Sequence, residues 1–236
     1  MASTLLAIIG GIVPALVWLW FWLKEDTRHP EPKPLIGETF LLGALAVIPA
    51  YFLEKLFGIS DLPTVGATLW WLVLAWATVE EILKYQAVRV GAMRSHFYDE
   101  PVDPMIYLIT AALGFAAVEN TLFILSALGQ GGSELAYLLT GNFRFLGATL
   151  VHIVSSALVG GMLGISFYRS AAAKRVYLVG GLLAAILLHA VFNYFIIKSA
   201  SDEIFKIFAL LWAAGVVLIL FFERVKKTGK INQTKL

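Results

Sequence analysis

The sequence predicts an all-α, polytopic membrane protein of seven transmembrane helices, with the N-terminus outside and the C-terminus cytoplasmic. Three observations predict it. The 236 residues are 59% hydrophobic and only 14% charged, with a mean hydropathy of +0.81, more apolar surface than a soluble domain of this size needs. Apolar segments of about 20 residues or more, long enough to cross a hydrocarbon core, recur seven times. Lysine and arginine gather in alternate gaps between those segments. Lipid offers the backbone no hydrogen bonds, so the spans must be helices.

The first span is expected at 4–23. It has about span length and no basic segment before it, so it reads as a retained helix rather than a cleaved signal. The second, 35–57, follows the turn-rich His29-Pro30-Glu31-Pro32-Lys33-Pro34. The third, 65–90, follows Asp61-Leu62-Pro63. The fourth, 104–128, follows Asp99-Glu100-Pro101-Val102-Asp103-Pro104. The fifth, 143–168, follows Gly129-Gln130-Gly131-Gly132, and the sixth and seventh are expected at 176–198 and 204–222. Residues 1–222 read as a single seven-helix domain. Residues 223–236 read as a basic cytoplasmic tail facing lipid headgroups, not a nucleic-acid module. No cysteine is present, which excludes disulfides, thiolate metal ligands and a cysteine nucleophile.

Orientation follows from charge. The gaps at 24–34, 89–103 and 169–175, with the C-terminal tail, hold thirteen Lys/Arg, whereas the other side holds only Lys55, Lys198 and Lys206. Arg144, at the outer end of span five, is expected to snorkel to the interface. With this topology, Glu80 lies about 15 Å from the cytoplasmic face, Glu119 about 22 Å, His152 about 24 Å and His189 about 20 Å, at 1.5 Å per residue. Four polar groups at similar depth point to one site, nearer the outer side.

An ionisable group in hydrocarbon costs a few kcal/mol, so these residues are expected to face the protein interior and act there. Val79-Glu80-Glu81-Ile82-Leu83-Lys84 places two glutamates about 100° apart on a helix, with Lys84 able to pair with either. An ion pair near a membrane end would read as a helix lock. Two glutamates in mid-span read as a general base and a charged partner. Glu119, beside Asn120, is approached by small residues from Ala111 to Ala117 and reads as a metal-binding or water-orienting carboxylate; for Asn120 an interhelical hydrogen bond is an equal reading. His152 has Ser155 and Ser156 one turn on, and His189 shares a helix face with Asn193. Imidazole with carboxylate suits a divalent metal such as zinc, with an open position for water, which makes Glu119, His152 and His189 the expected ligands. A metal-free version stays open, in which a glutamate–histidine pair activates water while His189 and Asn193 donate to the oxyanion. The pair Gly160 and Gly164 reads as close helix packing.

The absences discriminate. Neither histidine has the His-Glu-x-x-His spacing of common zinc proteases, and the aspartates Asp26, Asp61, Asp99, Asp103 and Asp202 all lie in loops or at span edges. No glycine-flanked serine with a partner stands out, and no phosphate-binding loop is present.

Together, Glu80-Glu81-x-x-Lys84, Phe115-x-x-x-Glu119-Asn120, His152 and His189-x-x-x-Asn193 resemble the motifs of the PrsW family of intramembrane proteases. That family is related to the CAAX prenyl-protease superfamily and, more distantly, to the seven-span Aph scaffold subunit of γ-secretase. The likeness covers spans three to six. The CAAX proteases carry a histidine where this chain has Glu119, which places it on the PrsW branch. The resemblance implies a protease of a prokaryotic cytoplasmic membrane. Its expected partner is a single-span regulatory substrate such as an anti-sigma factor, cut on its extracytoplasmic side. It also implies that Glu80 and Glu81 are the essential carboxylates, completed by Glu119, His152 and His189, and that the enzyme is a metalloprotease. Two other readings compete: a non-catalytic scaffold with a polar core, as the Aph relationship allows, and a proton- or metal-coupled transporter.

Overall fold

The computed structural model describes residues 2–25, 30–58, 66–129, 134–198 and 204–233. The expected turns at 61–63 and 130–132, and the side chain of Arg144, lie outside the described residues. The chain forms α1 (Ala2–Glu25), α2 (Lys33–Leu45), α3 (Val47–Leu56), α4 (Gly66–Val90), α5 (Asp103–Gly129), α6 (Glu134–Ile165), α7 (Ala171–Lys198) and α8 (Ile204–Gln233), with a short 3-10 turn at Ala92–Arg94. Among the described residues there is no strand. Among those residues six segments are long and apolar enough to cross a membrane, with α2 and α3 counting as one. α4 is also long enough, at 25 residues or about 37 Å, but it carries Glu80, Glu81 and Lys84. Three boundaries differ from the sequence expectation by five residues or more, the first being α7, which begins at Ala171 and not at 176. α6 begins at Glu134, before its apolar stretch, and α8 runs on through the basic segment to Gln233.

The second apolar segment is not one helix but two. Pro49 has no N–H to give the carbonyl of Leu45, and its ring crowds that carbonyl, so α2 ends at Leu45 and α3 restarts at Val47. The break redirects the chain. α2 packs chiefly along α5, whereas α3 packs chiefly on α4 and meets α5 only lightly.

α5 is the central post. From Asp103 to Ala117 every residue is buried, as expected for a helix that is apolar all round and enclosed by neighbours. Close approach requires glycine here. A Cβ on Gly43 of α2 would fall on the carbonyl oxygen of Ala111, and one on Gly114 would fall on that of Phe40. Gly160 of α6 lies just as close to the backbone of Met105, and Gly164 to that of Pro101, which is the packing expected of that pair.

Most buried apolar residues form one cluster around α5; a smaller one, with Leu72, Val73, Ala77 and Ala190, joins α4 to α7. Val79 packs against both clusters, so the glutamates that follow it lie at the seam. Large apolar side chains such as Trp20, Leu56, Val176, Leu210 and Leu220 are exposed around the outside, a surface suited to lipid. At the end of the bundle where α2 and α5 begin, the Tyr107 hydroxyl donates to Glu31, and Asp103 Oδ2 accepts from the amides of Asp99 (2.7 Å) and Glu100 (2.6 Å). Burial pushes the Glu31 carboxyl pKa above the usual carboxylate range.

Candidate active site

Glu80 and Glu81 follow each other in sequence but have different surroundings. Glu81 is 1% exposed and is saturated with donors. Its Oε1 accepts from Lys84 Nζ (2.8 Å), His189 Nδ1 (2.8 Å) and Ser155 (2.9 Å), and its Oε2 accepts from Ser156 (3.2 Å). A carboxylate offers about four lone-pair sites, and Glu81 meets four donors, three of them crowded onto Oε1. Glu80 is the reverse. Its Oε2 is buried and has no hydrogen-bond partner, although Lys84 Nζ (3.5 Å), His189 Nε2 (3.7 Å) and His152 Nδ1 (3.8 Å) surround it.

The two imidazoles are held by carboxylates at their far edges. His189 Nδ1 donates to Glu81, because an ionised carboxylate can only accept, and this leaves a lone pair on Nε2 beside Glu80. His152 Nε2 lies 2.7 Å from Glu119 Oε2, and its Nδ1 lies 2.7 Å from Lys84 Nζ. An ammonium only donates, so Nδ1 accepts and Nε2–H points at Glu119. The rings meet edge to face with centroids 4.9 Å apart. Phe115 is one turn before Glu119, and its ring lies 4.8 Å from Lys84 Nζ and 5.7 Å from the His152 ring. Phe115-x-x-x-Glu119 is therefore one helix face turned toward His152.

A cavity of about 270 Å³ opens onto this cluster. Glu80, Glu119, His152, His189 and Asn193 all line it, so the structure brings five of the six expected site residues to one space, and the sixth, Glu81, lies directly behind them. Glu119 is 43% exposed at its side chain and keeps one oxygen free of His152. Asn120 donates to Thr149 (3.1 Å), the interhelical hydrogen bond that was one of its two readings.

The donor atoms that converge are those of Glu80, His152 and His189, all within 4.8 Å of one another. The expected ligand trio named Glu119 instead of Glu80. An imidazole presents its two nitrogens at opposite edges, so Glu119 at Nε2 lies across the ring from Glu80 at Nδ1. The trio fits a divalent metal. Bonds of about 2.0–2.1 Å set tetrahedral ligand atoms about 3.4 Å apart; Glu80 Oε2 lies 3.7 Å from His189 Nε2 and 3.8 Å from His152 Nδ1, so an ion would draw the three inward, and two histidines with one glutamate are a known catalytic zinc set. The outer nitrogens already rest on carboxylates, as metal-binding histidines require. A cation at His152 Nδ1 would displace Lys84 from that atom and leave the ammonium to Glu81.

One cavity residue escaped the sequence reading. Glu54 of α3 lines the same space. In sequence it stands beside Lys55 at a span end, which is how an interfacial pair reads; in the structure it shares a stripe of α3 with the buried Val47 and Ala50.

The sequence pattern of the PrsW family intramembrane metalloproteases matches residues 31–222. The chain belongs to that family. It is 27% identical to Protease PrsW of Geobacillus kaustophilus over 216 residues, 88% of each chain. To Protease PrsW of Bacillus subtilis it is 25% identical over 228 residues, 95% of this chain and 96% of the relative. To that of Clostridioides difficile it is 28% identical over 193 residues, 78% of this chain and 76% of the relative. No solved structure matches the chain. A PrsW-family protease is therefore the reading that prevails over scaffold and transporter, in a multi-pass membrane protein of bacterial type.

Proposed function

We propose that the protein hydrolyses a peptide bond in a single-span, membrane-anchored regulatory protein of the anti-sigma-factor kind. The reaction takes place within a bacterial cytoplasmic membrane, near the extracytoplasmic side. The observation that carries this is the unpartnered Glu80 Oε2, set between two imidazole nitrogens at the wall of a cavity large enough for a short extended peptide. In this reading α4 is a seventh span, the basic gaps face the cytoplasm and the C-terminal segment 223–236 is a cytoplasmic tail.

Glu80, His152 and His189 would hold a divalent metal, zinc by donor type, and that metal would supply Lewis acidity at the site. Glu81 holds His189 in the tautomer that turns the Nε2 lone pair inward, and Ser155 and Ser156 fix Glu81. Glu119 does the same for His152 with one oxygen, and with the other it takes a proton from water. The water oxygen bonds to the carbonyl carbon, the C–N bond breaks, and the proton on Glu119 passes to the departing amine. The Asn193 amide donates to the carbonyl oxygen as charge develops there. A metal-free version is favoured by one observation, the Lys84 ammonium 2.7 Å from His152 Nδ1, where a cation already stands. Glu119 and His152 then activate water as a pair.

The test is cleavage of a single-span substrate library by the purified protein in liposomes, with metal content measured on the same samples. About one zinc per chain is expected. Glu80→Gln and His189→Ala should each lose the metal and at least 100-fold in rate. Cleavage by metal-free wild type would remove the metal from the mechanism. Intact wild type that cuts no single-span substrate would remove the substrate class.

A further inference from the structure

The catalytic account leaves Glu54 without a role. Val47, Ala50 and Glu54 lie on one stripe of α3, and the first two are buried. The opposite face of α3 carries exposed Ile48, Phe52 and Leu56 toward lipid. Glu54 is therefore an inward residue, standing where the stripe meets the cavity. No hydrogen bond or ion pair to its carboxylate is present among the described residues. The same cavity is lined by apolar side chains: Trp76 from α4, Phe123 and Ile124 from α5, Ile196 and Ile197 from α7. Among the described residues the lining holds three carboxylates, those of Glu54, Glu80 and Glu119, and no lysine or arginine. Glu80, more than nine-tenths buried with its unpartnered oxygen at the same wall, marks where the reacting bond sits.

We infer that Glu54 forms a specificity subsite for a lysine or arginine side chain of the substrate, a few residues from the bond that is cut. Basic side chains have an apolar stem and a charged head. Apolar walls beside a lone carboxylate match both parts. A neutral apolar side chain would strand the Glu54 carboxylate beside hydrocarbon, and an acidic one would add a fourth negative charge. Discrimination of this kind comes as much from what is rejected as from what is bound. The inference rests on the proteolytic reading above and names the chemistry its substrate brings.

The experiment is a scan of one single-span substrate, with lysine, norleucine or glutamate placed at each position flanking the cut. It is read as kcat/KM for wild type, Glu54→Gln and Glu54→Lys in liposomes. Wild type should prefer lysine to norleucine about 10-fold or more at one position, and to glutamate by more. Glu54→Gln should bring the lysine-to-norleucine ratio near one, and Glu54→Lys should move the preference to glutamate. A wild type indifferent to charge, or a Glu54→Gln variant with an unchanged ratio, overturns the subsite. So does a Glu54→Gln loss equal across all substrates. The same peptides, labelled and bound to the cleavage-dead Glu80→Gln variant, give a second measure. A lysine preference in binding that depends on Glu54, with no cleavage by wild type, would keep the subsite and reject the proteolytic reading. Binding without preference would reject the subsite alone.

Discussion

At the scale of single residues, the double glutamate divides its labour because each position faces a different neighbour. Glu81 collects Lys84, His189, Ser155 and Ser156 and organises two other helices. Glu80 keeps an oxygen open. The pair was legible in sequence as unusual. Which glutamate is spent and which is free was not, because that depends on donors 74, 75 and 108 residues away. The consequence is a split between stability and chemistry. Removing one partner of a buried charge pair costs about 3–5 kcal/mol, though Glu80 can take over part of Lys84 here. Glu81→Gln should therefore lower the melting temperature of the purified protein by several degrees. Glu80→Gln should lower it less than half as far while abolishing cleavage. Thermal melts followed by tryptophan fluorescence check this, and equal losses in the two variants would contradict the division.

At the scale of elements, hydropathy located all the helices but missed the break in the second segment. Pro49 lies inside an unbroken apolar run, and proline in membrane helices is common enough that a kink cannot be placed from sequence alone. The break has two effects. α2 stays against α5 through the Gly43 and Gly114 contacts, and α3 leaves α5 to make one wall of the cavity. The glycine seam and the cavity are thus parts of one arrangement. Gly114→Val puts a branched side chain onto the Phe40 carbonyl and pushes α2 off α5. Overpacking of this kind costs about 1–3 kcal/mol. The shift also reaches Phe115 and Glu119, one residue and just over one turn further along α5. The expected outcome is a lower melting temperature together with a loss of cleavage larger than the stability change explains when measured well below the melt. Unchanged cleavage in Gly114→Val would separate the seam from the site.

At the scale of the whole molecule, α5 shows how the interior is arranged. Its first half is buried at every position, and its second half lines the cavity with Glu119, Asn120, Phe123 and Ile124. The end where α5 starts is closed: Tyr98 stacks on Tyr107 at 6.5 Å and packs on Phe167 at 5.7 Å, and Glu31 bonds Tyr107. The cavity runs the other way, past Phe123 and Ile197 toward the far ends of α5 and α7. Among the described residues the way in to Glu80 for water and an unwound substrate is thus from that end, which in the function proposed above is the extracytoplasmic one. Because the chain has no cysteine, this can be tested on a clean background. Single cysteines at Phe123, Asn193 and Ile197 should react with a charged, membrane-impermeant thiol reagent in intact cells, since only a thiol in contact with water ionises enough to react. A cysteine at Phe97, in the loop before α5 and also exposed, should react only after the membrane is opened. Bound substrate should protect Asn193→Cys more than Phe97→Cys. Labelling of Phe97→Cys in intact cells, with the cavity positions silent, would invert the topology and put the cut on the cytoplasmic side.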